Sequence, residues 1–198
     1  NEFPDFLAWM PNTSEVVIFE NNRPLATQIC EDADIIFTLD FNALHRVGDM
    51  EQVLNKCTTT FIMIDHHQKP DDYAKYMFSD PSYGSTCEMI YHFINKLNLT
   101  NLIDKTIATC IYTGIVTDSG SFRFPSTTST THQVTAKLID LGVEPGMVHN
   151  SLFDNNSYNR LLLLGQALQN LKLFPELKTS YITLSQNELD RYQYVKGD

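Results

Sequence analysis

The chain has 198 residues, 42% of them apolar, and a net charge of −10. That is enough apolar material to pack one sizeable domain and part of a second. The acidic balance excludes a general binder of long duplex nucleic acid, which needs a basic surface to neutralise phosphates. No apolar run approaches the roughly 20 residues of a membrane span. The N-terminus, "NEFPDFLAWMPN", has neither a basic leader nor an apolar one. The expected location is therefore the cytoplasm, with no membrane partner. Cys30, Cys57, Cys87 and Cys110 form no CxxC pair and are expected to be reduced thiols. Without an initiator Met, the chain is expected to be a piece of a longer protein.

Val16-Val17-Ile18-Phe19 has strand character, and Asn21-Asn22-Arg23-Pro24 reads as a turn. "DADIIFTLD" is an apolar strand ending at Asp40, and "NALHRVGDMEQVLNK" reads as a short helix. "TTFIMIDHH" is a strand that breaks from Phe61-Ile62-Met63-Ile64 into Asp65-His66-His67. A short strand is expected over residues 76–80. The next helix, "GSTCEMIYHFINKLN", has Ser85 as N-cap and Glu88 at capping-box spacing. Its apolar positions recur at helical spacing. Further helices are expected up to Thr117, over "THQVTAKLIDLG" with Gly142 closing it, over "PGMVHNSLFDN" and over "YNRLLLLGQALQNLKL". After Pro175 a strand and a short helix follow. The expected organisation is one domain over residues 1–174 and the beginning of a second over 175–198.

Continuous apolar strands alternating with helices predict an α/β fold, a three-layer parallel sheet flanked by helices. Ligands of such sheets bind beyond the carboxyl ends of the strands. Asp40 ends one strand there, and Asp65-His66-His67 ends another. Taken singly, Asp40 reads equally as a helix cap, the histidine pair as a satisfied polar edge and Asp118, before Ser119-Gly120, as a turn former. Together they offer carboxylate and imidazole donors, which suit Mn²⁺, Mg²⁺ or Fe²⁺ better than thiolate-seeking metals.

"IDHH" at residues 64–67 resembles the name-giving motif of the DHH phosphoesterases. "FTLDFNALHRVG" at 37–48 and "YTGIVTDSGSFRFPSTT" at 112–128 are similar to the motifs before and after it. The resemblance covers about residues 16–170 and leans toward the branch of nanoRNases and phosphatases of 3′-phosphoadenosine 5′-phosphate. It implies metal ligation by Asp40, His66 and Asp118, with Asp40 bridging two Mn²⁺ ions, Mg²⁺ being the alternative. It makes His67 the group that meets the substrate and Asp65 the carboxylate that orients a histidine. Arg123 would reach a substrate phosphate, and Arg46 is a second such cation. The substrate class implied is a short nucleotide or oligoribonucleotide, hydrolysed by in-line attack of activated water, and a homodimer is compatible with it.

One motif of the family, His-x-x-x-Asp-x-Asp after the first strand, has no counterpart here. His45-x-x-x-Asp49-x-Glu51 follows Asp40 and lies on an expected helix. The first strand with that motif, and most of a C-terminal substrate-binding domain, are expected outside this chain. Two other readings stay open: a pyrophosphatase or exopolyphosphatase of the same family, and a catalytically inactive nucleotide-binding domain.

Overall fold

The computed structural model describes residues 3–154 and 156–194; residues 1–2, 155 and 195–198, which fall within or at the limits of the expected elements and domains, lie outside them. The chain divides into two compact units, Asn1–Phe3 with Ala8–Val148, and Pro4–Leu7 with His149–Asp198.

The first unit begins with a departure. The strand expected at Val16–Phe19 does not form. The Ile18 carbonyl instead accepts the N–H groups of both Asn21 and Asn22, so the chain turns back before a strand can pair. Val16 and Val17 stay exposed. Helix α1 (Arg23–Asp32) starts in what the sequence suggests is only a turn. The Asn22 side chain accepts from Leu25 N–H at 3.3 Å, and Pro24 occupies the first turn, where its missing N–H costs nothing.

Strand β1 (Ile35–Leu39) follows. A 3₁₀ segment (Leu44–Met50), kinked at Val47 and Gly48, leads into α2 (Glu51–Leu54), so the expected helix there is broken in two. Strands β2 (Thr60–Asp65) and β3 (Tyr76–Ser79) complete a parallel sheet of order β1-β2-β3. Then come α3 (Thr86–Lys96), α4 (Lys105–Asp118), α5 (Ser129–Asp140) and α6 (Pro145–His149). Of the helix expected over residues 145–155, Pro145–His149 are α-helical and Asn150–Asp154 π-helical; residue 155 lies outside the described residues.

The alternation along β2 distributes its side chains to two faces. Phe61 and Met63 pack into a buried cluster with Cys30 of α1, Leu44, Leu54 and Ala74. On the opposite face Phe37 of β1 meets Phe93 of α3 edge-to-face at 6.0 Å. The fold is thus the expected α/β sheet flanked by helices. Register sets the useful edge: Leu39 lies opposite Ile64, and Asp65 opposite Ser79. Residues just beyond β1 and β2 therefore emerge side by side.

In the second unit α7 (Tyr158–Gln169) ends before the strand pair β4 (Lys172–Phe174) and β5 (Thr179–Tyr181), and α8 (Gln186–Arg191) closes it. The expected helix runs too far here. The chain reverses at Pro175–Leu177, with Lys178 at φ 49°, into an antiparallel hairpin, and the Asn170 side-chain amide donates to the Thr183 carbonyl and to Glu188, both at 2.9 Å.

In the first unit α3 and α4 meet at a glycine. A Cβ at Gly114 would collide with Cys87 Sγ and lie 2.8 Å from its Cβ. Gly114→Ala should therefore destabilise the protein by about 1–3 kcal/mol through overpacking. Thermal unfolding measures this. A variant melting at the parent temperature would show that the helices separate freely.

Candidate metal centre

The candidate site is built where β1 and β2 end. Asp40 follows β1 with φ of 65°, a left-handed conformation that Asp tolerates better than most residues. Its N–H donates to the Ile64 carbonyl of β2 at 3.2 Å. That bond ties the turn to the neighbouring strand and leaves the Asp40 side chain about half exposed. Asn42, fully buried, links the two strand ends again: its amide donates to the Gln68 carbonyl at 2.9 Å, and its own carbonyl accepts from Asp71 N–H at 2.8 Å.

The two histidines are held differently. His66 Nδ1 lies 3.1 Å from the Tyr83 carbonyl. A carbonyl only accepts, so Nδ1 carries the proton and Nε2 keeps its lone pair. That Nε2 sits 3.6 Å from Asp40 Oδ1. His67 Nδ1 lies 2.8 Å from Asp65 Oδ1, and the His67 N–H donates to Asp65 Oδ2 at 2.7 Å. Both oxygens of Asp65, which has no exposed surface, are thus engaged by one residue. The ring is fixed with Nδ1–H toward the carboxylate and Nε2 turned away from it.

Asp40, His66 and His67 each offer a donor atom, all within 4.8 Å of one another. One carboxylate and two imidazoles in that space fit a borderline divalent cation. Asp118, expected in the ligand set, is not part of this trio. It ends α4, half-buried, and its pKa is raised, first by burial and further by Asp40; the proximity of Ser85, His66 and His67 pulls it down. A carboxylate pushed up by burial and a neighbouring anion is one that a cation would relieve.

The expected phosphate-binding cations are less organised. Arg123 is exposed, and its Nε donates to the Gly120 carbonyl at 2.7 Å, folding the side chain back on its own loop. Arg46 is exposed on the 3₁₀ segment. Three residues the sequence reading passed over make contacts here: Tyr83, Ser85 beyond its capping role, and Thr86, whose hydroxyl donates to Asp40 Oδ1 at 2.8 Å. They start the helix after β3, and that position at the carboxyl edge of the sheet is the signal that was available.

With this geometry in place, the comparisons decide the family. Residues 1–115 match the model of the DHH family, N-terminal domain. The chain belongs to the DHH family. A DHH-family relative from Bacillus subtilis, named bifunctional oligoribonuclease and PAP phosphatase NrnA, is 33% identical over 56% of this chain and 35% of its own length. Its Thermus thermophilus namesake is 37% identical over 54% of this chain and 32% of its own. The crystal structure of an exopolyphosphatase-related protein from Bacteroides fragilis matches with a TM-score of 0.97 and 32% identity, over 100% of this chain and 58% of that one. The matched stretch is thus about a third of these curated relatives.

Asp118 gives this DHH site a testable signature. Between the ordinary carboxylate pKa and the raised one, the folded state binds more protons than the unfolded state. Stability of the metal-free protein therefore falls as pH rises through that window. Asp118→Asn should remove this slope and raise the melting temperature at neutral pH in the presence of a chelator. Melting curves across pH measure both effects. An unchanged slope would mean that Asp118 is not the strained carboxylate.

Proposed function

We propose that this chain carries the catalytic edge of a metal-dependent phosphoesterase acting on phosphate esters of short nucleotides, oligoribonucleotides or 3′-phosphoadenosine 5′-phosphate. The reading rests above all on one observation, the His67 ring held by a buried carboxylate beside the Asp40–His66 pair. The names of the Bacillus and Thermus relatives support the substrate class. In the same proposal, residues 175–198 open a second, substrate-binding domain.

Asp40, His66 and Asp118 would hold the divalent ion, Mn²⁺ first and Mg²⁺ as alternative. In the whole protein a second ion would share Asp40. Bound there, the metal would act as a Lewis acid on phosphoryl oxygens and make water nucleophilic near neutral pH. The remaining work falls to this chain's own groups. Asp65 fixes the His67 ring with Nε2 free to face the substrate. His67 Nε2 delivers a proton to the leaving oxygen, a contribution of roughly 10²–10⁴-fold. Arg123, once released from the Gly120 carbonyl, offers forked donors to a substrate phosphate. Pyrophosphate or polyphosphate hydrolysis is the second reading, favoured by the description of the Bacteroides relative.

The two histidines separate the roles. In the whole protein with Mn²⁺, Asp40→Asn should abolish hydrolysis of a short oligoribonucleotide. His67→Ala should cut turnover by roughly 10²–10⁴-fold with metal content near normal, and the defect should shrink on a nitrophenyl ester, whose leaving group needs no proton. His66→Ala should instead lower metal content, with partial rescue by added Mn²⁺. Rates and metal analysis on each variant give the answer. Metal loss in His67→Ala with retention in His66→Ala would reverse the assignment, and full activity of Asp40→Asn would end it.

A further inference from the structure

The three expected ligands come from three separate places in the chain, the turn after β1, the end of β2 and the end of α4. One short segment hydrogen-bonds two of them and lies near the third. The Tyr83 carbonyl takes the Nδ1 proton of His66 at 3.1 Å. Ser85 lies near the Asp118 carboxylate. The Thr86 hydroxyl donates to Asp40 Oδ1 at 2.8 Å. The two hydrogen bonds fix different degrees of freedom: the ring tautomer of His66 and the rotation of Asp40.

The segment is built to hold still. Ser85 and Thr86 are almost completely buried. Ser85 also caps α3, accepting from Cys87 N–H at 3.0 Å. The Tyr83 ring is wedged between Phe78 and His92, at centroid distances of 5.9 and 5.5 Å. Between them, Gly84 lies against the loop that carries Arg123: a Cβ there would sit 3.1 Å from Ser126 Oγ and 3.2 Å from its carbonyl oxygen.

We propose that Tyr83–Thr86 is the positioning segment of the metal centre, setting the geometry of His66 and Asp40 together from one rigid helix start. Its residues act through the ligands they hold. The half-exposed Asp40 depends on it most, because Thr86 is the hydroxyl that restrains its carboxylate. The inference rests on the metal-dependent reading above and deepens it.

Thr86 tests it, because Val keeps the shape and removes only the donor. Titration calorimetry with Mn²⁺ should give Thr86→Val an affinity 10–100-fold below the parent, the usual cost of losing such a partner, at a melting temperature close to the parent value. Thr86→Ser, which restores the hydroxyl, should bind nearly as the parent does. Unchanged affinity in Thr86→Val, or equal losses in the Val and Ser variants, would overturn the positioning role while leaving the functional reading intact. A parent protein that takes up no Mn²⁺ would overturn both. Nitrogen-15 shifts of the His66 ring provide a check that needs no variant. The expected neutral form is protonated at Nδ1, and a ring protonated at Nε2 would contradict the Tyr83 contact.

Discussion

Asp65 is a carboxylate without exposed surface, and the rest of the site depends on how it is satisfied. Removing an ionised group from water costs several kcal/mol unless hydrogen bonds replace the lost solvent. Here the replacement comes from a single neighbour two residues on, through its backbone N–H and its ring. Charge-assisted bonds of this kind are short and strong. The consequence is that β2 cannot end loosely. The strand enters the core through Met63 and Ile64, and the Asp65 tether then fixes where His67 stands and which of its nitrogens is available.

Opposite that tether lies a looser arrangement. Asp40 adopts a left-handed backbone and half of its side chain meets solvent. The Ile64 carbonyl holds its main chain, and Thr86 holds its carboxylate. Asp118 is crowded by burial and by Asp40. Asp118 is the group that a nearby cation would relieve, since burial and Asp40 both push its pKa up.

The chemistry of this edge was legible because it is written in consecutive residues. An apolar run of strand length that breaks into Asp-His-His says where the sheet ends and what it presents. The same reasoning placed Asp40, since its strand is just as apolar. Elements decided by local turn chemistry were harder. Val16–Phe19 has strand-forming residues, but the Asn pair after it captures the Ile18 carbonyl. Asn22 and Pro24 announce a helix start, and the pattern behind them is weak because only Ala26 and Cys30 are buried in α1. In the second unit Asn170 bonds to residues thirteen and eighteen positions ahead, a contact no local pattern contains. In the site, the missed residues Tyr83 and Thr86 act through a carbonyl and a hydroxyl, and such contacts leave no compositional mark.

The central claim is that the strand ends form a prepared divalent-cation site in which His66 ligates and His67 is kept for the substrate. A crystal structure with Mn²⁺, read at the metal's anomalous edge, tests it most directly. The account predicts an anomalous peak within bonding distance of Asp40 and His66 Nε2, with His67 still bonded to Asp65 through Nδ1. A peak coordinated by His67 with His66 turned away, or no peak at this edge at saturating Mn²⁺, would contradict it.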